Sequence, residues 1–219
     1  MSTIKLLTTC VDYADHLSRA LPTWLVPGVE VLVVTSLNNP DTEYICDAYG
    51  VGCHKTGAFH ADGAKFNKPR GMLDAIAATG WLDPPGWRLF IDADICLPEG
   101  WLQAVLESRP QIGNLYGIQR RPENEEAVPS RHGIVGYWHM FHSADERVRD
   151  NGPLLLTRWG HAGGYDMVFR RRWRPRRRVW LPLTAVHLGE SNWFGRRRRQ
   201  PGPTKLRKVA KKYRKRVGE

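Results

Sequence analysis

The sequence predicts an α/β fold in which a mainly parallel sheet is flanked by helices. Short apolar runs alternate with segments of helical spacing through about residue 107, and this alternation is typical of βα units with parallel strands. The length of 219 residues suits one domain with a sizeable core. Hydrophobic residues make up 42% of the chain and charged residues 25%, which indicates an ordinary globular protein.

The elements of the first half follow in a regular order. We expect strands at 4–9, 29–35, 51–55 and 87–91, and helices at 13–24, 41–49, 67–79 and 100–107. The run 29–35 is nearly all apolar, as in a parallel strand covered on both faces. In the first helix, Leu17, Leu21 and Trp24 are spaced to share one face. Asp41 is expected to be the N-cap of the second helix.

The second half is less regular, with short strands and many Trp, Gly, His and Arg residues. We expect one domain over residues 1–199 and a basic C-terminal helix or tail over 200–219. Residues Gln200 to Pro203 interrupt the chain, and an apolar stripe from Leu206 to Val217 predicts a helix over 204–217.

The charge is distributed unevenly along the chain. Residues 170–219 hold 19 basic and 2 acidic residues, a balance of +17, whereas the first 169 residues hold 14 basic and 20 acidic residues, a balance of −6. A mildly acidic body with a basic C-terminal quarter indicates a polyanionic partner, which can be nucleic acid, an anionic membrane surface or an acidic glycan. A solvated tail that aids solubility is the alternative.

Cysteine usage and hydropathy bear on the compartment. Cys10, Cys46, Cys53 and Cys96 form no C-x-x-C pair, so we expect free thiols in a reducing compartment. No run of about 18 apolar residues is present, and the first residues do not resemble a signal peptide. We therefore expect a cytoplasmic protein without an integral membrane segment.

Two carboxylates follow the apolar strand at 87–91, in the sequence Asp92-Ala93-Asp94. In open α/β sheets, ligands bind beyond the carboxyl ends of the strands, and these residues lie at such an end. Where the chain turns, both carboxylates can converge on one Mg²⁺ or Mn²⁺ ion that also contacts substrate phosphates. Such an ion would stabilise a diphosphate leaving group.

The context of this motif resembles a known family. Residues 66–72 (FNKPRGM) and 89–98 (LFIDADICLP) resemble the nucleotide-binding half of GT-A-fold glycosyltransferases, and 186–189 (VHLG) with 192–196 (NWFGR) are similar to a C-terminal signature of galactosyltransferase-like members. The resemblance covers roughly residues 4–196. It implies a nucleotide-sugar-binding half at 1–107, an acceptor half at 108–199, a nucleotide-sugar donor (UDP-sugar expected) and Mn²⁺ (or Mg²⁺) as cofactor.

The resemblance also implies roles for individual residues on the donor side. Asp92 would contact the ribose and the metal, Asp94 would be the principal metal ligand, and His187 would be a third ligand. The other donor contacts would be Thr8 and Thr35 near the base and ribose, Lys68 and Arg70 at the base or diphosphate, and Arg196. For His187 the alternative is a core histidine. For Lys68 and Arg70 it is a pair of surface charges, although a helix N-terminus disfavours cations.

On the acceptor side, Asp166 would be the catalytic base, because similar transferases place an acidic residue there to take a proton from the acceptor hydroxyl. Direct displacement would invert the anomeric centre. The alternative for Asp166 is a helix N-cap, with His161 as a second candidate base. The implied acceptor contacts are Tyr137, Trp138, Gly163, Gly164 and Trp193, with a core role as the alternative for the first two. A zinc site at His132, His139 and His142 is a weaker hypothesis, because nothing fixes their geometry.

The favoured function is metal-dependent sugar transfer from a nucleotide sugar to a hydroxyl acceptor. Because the basic residues lie in the acceptor half, a hydroxymethylated base in DNA is the favoured acceptor, as for some viral glycosyltransferases, which would place the protein in the cytoplasm of an infected host cell. The alternatives are a protein or membrane-glycan acceptor and a non-catalytic nucleic-acid-binding protein. A nucleotidyltransferase is not favoured, because the chain has no Gly-rich phosphate loop.

Overall fold

The structure is a computed structural model that describes residues 3–123, 134, 136–149, 154–158 and 164–188. The strands are β1 (Ile4–Thr9), β2 (Val29–Ser36), β3 (Gly52–Thr56), β4 (Trp87–Asp92), β5 (Ile95–Cys96), β6 (Leu115–Pro122), β7 (Trp138–His142) and β8 (Arg178–His187). The helices are α1 (Ala14–Trp24), α2 (Pro40–Tyr49), α3 (Lys68–Thr79), α4 (Trp101–Glu107), α5 (Glu146–Arg149) and α6 (Tyr165–Arg171). Short 3-10 turns lie at Ala58–Gly63 and Pro175–Arg177.

The strands form one mixed sheet in the order β3-β2-β1-β4-β7-β6-β8-β5. The four strands β3, β2, β1 and β4 are parallel to one another, β7 is antiparallel to β4, β6 is parallel to β8, and β5 is antiparallel to β8. This arrangement confirms the α/β class with a parallel first half. The expected elements of that half agree with the structure to within one or two residues at each end.

Helix ends in the first half are set by asparagines and glycines. Asn39 and Asn67 are the N-caps of α2 and α3, and each side chain accepts a hydrogen bond from a backbone N–H in the first turn. Gly50 and Gly80 end the same two helices in the left-handed conformation. The expectation that Asp41 caps α2 is therefore wrong, since Asn39 occupies the cap and Asp41 lies in the first turn.

The sheet is buried on both faces. Leu6 and Leu7 are neighbours on β1, point to opposite faces and are both fully buried. One face packs with Trp24 and Trp101 of α1 and α4, and the other packs with residues of α3 and α6 such as Phe169. The carboxyl ends of β1, β2 and β4 consequently open at one edge of the sheet, which is where ligands bind in such folds.

All four cysteines are free thiols. In the part of the chain that the structure describes, no helix is long and apolar enough to cross a membrane. The tail expected at 200–219 lies outside the described residues.

Candidate active site

The carboxyl end of β4 delivers the two aspartates. Asp92 is the last residue of β4, and its N–H donates to the carbonyl oxygen of Tyr137 at 3.2 Å. Asp94 lies in the turn between β4 and β5, and its carbonyl oxygen accepts from the N–H of Leu188 at 2.8 Å. The turn that carries both carboxylates is therefore held by backbone bonds to segments from the second half of the chain.

His187 lies beside Asp94. The short strand β5 pairs antiparallel with the end of β8, with Ile95 opposite His187. This pairing leaves Nε2 of His187 at 3.1 Å from Oδ2 of Asp94, with side chains that are 18% and 22% exposed. The other oxygen of Asp94, Oδ1, is buried and has no hydrogen-bond partner among the described residues.

Asp94 is held in its ionised form. Burial acts to raise the pKa of Asp94, but the hydrogen bond and charge of His187, with the charges of His16 and Lys68, outweigh it and lower the pKa. Because the carboxylate is ionised and Oδ1 has no partner among the described residues, Asp94 can bind a cation.

Lys68 is engaged with the other aspartate. Its ammonium group donates to Oδ1 of Asp92 and lies 5.6 Å from the ring centroid of Tyr165. The side chain of Lys68 is 13% exposed, and that of Asp92 is 33% exposed. Burial acts to lower the pKa of Lys68, but Asp92 and Tyr165 outweigh it, so the pKa is raised and the lysine is charged. A fixed positive charge therefore lies beside Asp92, at the start of the turn between β4 and β5.

A divalent metal ion fits part of this arrangement. Within the described residues, no group of three His, Cys, Asp or Glu side chains is placed to hold a metal ion. Asp94 and His187 are together, whereas Asp92 is paired with Lys68. A carboxylate with an unsatisfied buried oxygen and an imidazole are donors that Mn²⁺ accepts, so Asp94 and His187 would hold the ion, which would supply positive charge there.

The remaining residues that were expected to contact the donor differ in exposure. Thr35 is fully buried, and its hydroxyl donates to the carbonyl oxygen of Cys10 at 2.6 Å, which ties the end of β2 to the end of β1. Thr8 is also buried, but its hydroxyl has no partner among the described residues. Arg70 lies in the first turn of α3, where its guanidinium contacts Asp62. Arg196 lies outside the described residues.

Asp166 lies in the first turn of α6. The N-cap is Gly164, which has a φ of +91°, so the alternative that Asp166 is the cap is wrong. Oδ2 of Asp166 accepts from the N–H of Gly136 at 3.1 Å. Only glycine fits at that position, because a Cβ on Gly136 would lie 2.6 Å from the Cβ of Asp166. The neighbouring Tyr165 contacts Lys68, which brings α6 to the donor side; burial raises the pKa of Tyr165 to about 12, against the charge of Lys68.

His139 is a buried histidine between these groups. It is 1% exposed, its ring packs 5.2 Å from that of Phe169, and its Nε2 has no partner among the described residues. Burial lowers its pKa to about 4, while the charge of Asp166 acts in the opposite direction. His142 instead packs its ring against Trp87, so the two histidines do not converge as the zinc hypothesis requires. His132 lies outside the described residues.

Tyr137 and Trp138 are covered by protein. Tyr137 is 3% exposed, its hydroxyl donates to a backbone oxygen, and the guanidinium of Arg120 lies 4.6 Å from its ring centroid. Trp138 is fully buried and packs edge-on against Trp101 at 5.8 Å. Both rings are therefore core side chains, which is the alternative interpretation of these two residues, because β7 lies inside a sheet that is covered on both faces. Gly163, Trp193 and His161 lie outside the described residues.

Two residues near Asp94, His16 and Tyr13, were not predicted from the sequence. His16 is 6% exposed and has an unpartnered Nδ1, and its charge acts on Asp94. Tyr13 is 45% exposed. Its pKa is raised, first by partial burial and next by the negative charge of Asp94. The available signal was their position directly after β1, at the same edge of the sheet as Asp94.

No protein-family model matches the chain. No curated protein is significantly similar to it. Solved structures do match. Glucosyl-3-phosphoglycerate synthase from Mycobacterium tuberculosis, in complex with Mn²⁺, UDP and glucosyl-3-phosphoglycerate, is 17% identical with a TM-score of 0.56, and the match covers 99% of this chain and 80% of that one. 4-Diphosphocytidyl-2C-methyl-D-erythritol synthase is 14% identical with a TM-score of 0.50, covering 96% and 97%. The fold is therefore of the GT-A, Rossmann-like type, as the sequence predicted.

Proposed function

We propose that the protein is a Mn²⁺-dependent glycosyltransferase that moves a sugar from a nucleotide sugar, with UDP-sugar as the expected donor, to a hydroxyl acceptor. The observation that carries this proposal is the Asp94–His187 pair, with its unsatisfied carboxylate oxygen, beside the charged Lys68. The proposal is supported by the solved synthase of the same fold, which holds Mn²⁺ and UDP.

In this proposal Asp94 and His187 hold the ion, which neutralises charge on the diphosphate when bound. Lys68 adds a second positive charge on the diphosphate side, and Arg70 can add a third, since cations suit phosphate oxygens. Lys68 holds Oδ1 of Asp92, and the exposed part of the same carboxylate faces the ribose. Thr8, near the carboxyl end of β1, lies close to the base or ribose in this proposal.

On the acceptor side, Asp166 accepts the proton of the attacking hydroxyl. A general base must be held within hydrogen-bond reach of its target, and the N–H of Gly136 fixes one carboxylate oxygen of Asp166 while the other is left for the acceptor. Attack opposite the leaving diphosphate inverts the anomeric centre. Gly164, as the N-cap of α6, fixes where the helix begins and therefore where Asp166 lies.

A thermal-shift panel tests the donor. UDP, UDP-sugars and the corresponding GDP and CDP compounds are compared with and without Mn²⁺, because a ligand that binds only the folded chain raises the melting temperature. We expect a shift that needs both the nucleotide and the ion, with UDP released when a sugar acceptor is supplied. If no nucleotide sugar binds in a Mn²⁺-dependent manner, the protein is a binding module that retains the fold.

For the acceptor we propose a hydroxymethylated base in DNA, which places the protein in the cytoplasm, including that of a virus-infected cell. The support is the +17 balance of residues 170–219 in the acceptor half and tail. A base in a duplex would have to be flipped out of the stack. Protein is incubated with UDP-sugar, Mn²⁺ and hydroxymethylated DNA, and the expected result is a mass gain of one sugar on the modified bases.

A DNA substrate that gains no mass while the protein still hydrolyses the donor would contradict the DNA acceptor alone. Flotation with anionic liposomes, with and without residues 200–219, then tests the membrane-glycan acceptor. Asp94→Ala separates the enzyme from the binding module, since it should abolish donor turnover and leave DNA binding intact.

A further inference from the structure

Residues Arg170 to Arg178 form a dense cationic segment in the described part of the chain. Seven of these nine residues are arginine, and the other two are Trp173 and Pro175. From sequence alone such a run is a solvated, mutually repelling stretch. The structure divides its arginines into two groups with different roles.

Three arginines hold the segment in place. Arg170, Arg172 and Arg178 donate to backbone carbonyl oxygens at distances of 2.8, 2.6 and 2.9 Å. Trp173 is fully buried between them, and its Nε1 donates to Oδ2 of the buried Asp145 at 3.0 Å. Buried aromatic packing and satisfied donors fix a backbone conformation. The segment is therefore an anchored part of the fold.

The other four arginines, Arg171, Arg174, Arg176 and Arg177, are exposed. Within the described residues none of them forms an ion pair with a carboxylate. Four positive charges are thus held close together on a fixed backbone, which raises the local potential. Such a potential attracts an anion with several negative groups.

The surface begins at the end of the helix whose first turn carries Asp166. Helix α6 begins with Tyr165 and Asp166 and ends with Arg171. At a rise of about 1.5 Å and 3.6 residues per turn, Arg171 lies roughly 7.5 Å along the helix axis from Asp166 and about 140° around it. The exposed arginines continue from that point, through the 3-10 turn Pro175–Arg177, to the start of β8.

We propose that Arg171, Arg174, Arg176 and Arg177 form a surface that binds the phosphodiester backbone of a nucleic acid. Every exposed cation in the segment is an arginine, whose planar fork matches two phosphate oxygens. Trp180 follows on β8 and is 38% exposed, which provides one ring on which a base can stack.

The same features argue against a membrane surface. Binding to an anionic bilayer combines charge with an apolar face that enters the lipid. Trp173 within the segment is fully buried, and the exposed large apolar side chains beside it are Met167 and Trp180, which are 36% and 38% exposed. Two single side chains do not form the continuous apolar face of a membrane-binding helix, so the charge of this surface favours phosphates in water.

Binding to this surface needs neither the donor nor transfer. That it brings an acceptor base to Asp166 rests on the proposed function. DNA affinity is measured without donor, and Mn²⁺-dependent UDP binding is measured without DNA. The arginine surface and the proposed function are therefore tested separately.

The test measures fluorescence anisotropy of the full chain with a labelled single-stranded oligonucleotide between about 50 and 200 mM NaCl. R171Q/R174Q/R177Q is compared with wild type and with K5Q/K55Q/R109Q, which removes three positive charges elsewhere on the described surface. The slope of log K against log salt falls by roughly 0.7 for each phosphate of a single strand that the protein no longer neutralises. We expect the magnitude of the slope to fall by about 2 in the arginine variant and to change little in the control.

Equal reductions in the two variants would overturn the proposal, because net charge alone would then explain binding. An unchanged slope in the arginine variant would assign DNA binding to other residues and also overturn it. Phosphatidylserine vesicles form a parallel arm, and a variant that stops binding vesicles but still binds DNA would identify a membrane surface instead. Circular dichroism of each variant establishes that the fold is retained, and R176Q/R177Q is a milder substitute if the triple variant unfolds.

Discussion

His187 and Asp94 meet through their side chains, with Nε2 of His187 at 3.1 Å from Oδ2 of Asp94. Oδ1 of the same aspartate is buried without a partner among the described residues. Leaving a strong buried acceptor unsatisfied costs free energy, about 1–3 kcal/mol or more for a charged group. We therefore expect a cation that binds Oδ1 to stabilise the folded chain.

Asp94→Asn and His187→Ala should each remove the Mn²⁺-dependent stabilisation by UDP. At a ligand concentration of about 100 times Kd, binding stabilises the folded chain by roughly 2.7 kcal/mol, and the variants should show almost none of this gain. The measurement is the melting temperature with UDP, with and without Mn²⁺. The surface pair of His54 and Asp74, whose Nε2 and Oδ2 atoms are 2.8 Å apart, provides matched controls. If His54→Ala and Asp74→Asn lose the stabilisation equally, the assignment of the site is wrong.

Asp166→Asn should lower the rate of sugar transfer by about 10²–10⁴-fold and leave donor binding unchanged, because the amide keeps the shape of the side chain but cannot accept the proton. The amide oxygen can still accept the bond from the N–H of Gly136. Transfer is followed by UDP release with an acceptor present, and Asp47→Asn on the exposed face of α2 is the control. A transfer rate within a few-fold of wild type would remove Asp166 from the mechanism.

Gly136→Ala should lower the transfer rate while UDP binding persists. The added Cβ would lie 2.6 Å from the Cβ and 2.7 Å from Oδ2 of Asp166, so the carboxylate must move. Gly57→Ala is the control, because a Cβ there would lie 3.5 Å from Leu37, an ordinary contact. Both variants are assayed for transfer and for thermal shift with UDP. Wild-type transfer by Gly136→Ala would show that the placement of Asp166 does not limit the rate.

His139 should make the protein less stable in mild acid. Burial lowers its pKa to about 4, whereas an unfolded chain binds the proton near pH 6.5. The stabilisation is complete above the unfolded value and is lost as the pH falls from there toward the folded value. Between about pH 7 and pH 5 this residue should account for about 2 kcal/mol of the decrease in unfolding free energy.

His139→Phe should reduce this decrease, since it removes the titrating group and an unpartnered buried nitrogen. Urea unfolding at the two pH values measures the difference, and His60→Gln on the exposed 3-10 turn is the control. An equally steep decrease in His139→Phe would assign the acid sensitivity to other groups.

Lys68→Met should destabilise the fold by about 2 kcal/mol and weaken UDP binding. Breaking a buried ion pair usually costs more, but the 33% exposure of Asp92 lets water compensate in part. Lys55→Met is the matched control, because the pair of Lys55 and Glu43 is exposed and screened by solvent, so its loss should affect stability less. Equal effects of the two substitutions on unfolding and on UDP binding would contradict a special role for Lys68.

The first half of the fold could be predicted because its elements are local patterns. An apolar run such as β2 and helix ends at Gly50 and Gly80 are encoded by residues close in the chain. The second half is built from distant pairings. β6 lies parallel to β8, and β5 reaches the end of β8 across most of the second half. No periodicity within β8 indicates its partners, so a strand of ten residues was not predicted.

The candidate site divides in the same way. Asp92 and Asp94 could be found from the strand before them, whereas His187 was implied only by resemblance to a family. The pairing of Lys68 with Asp92 and the burial of Tyr137 depend on contacts across the sheet that sequence spacing does not encode. The same holds for the arginines of 170–178, because the carbonyl oxygens that hold Arg170 and Arg172 come from other segments.

The antiparallel contact of β5 with β8 also bears on synthesis of the chain. Asp94 leaves the ribosome well before His187, and at about 5–20 residues per second the interval is on the order of ten seconds. Until β8 has emerged, the nascent aspartate has no histidine beside it, and the backbone bond from Leu188 does not exist. On the proposed function, we therefore expect a polypeptide that terminates before His187 to lack this ligand for the ion and to leave the cell's activated sugars unused.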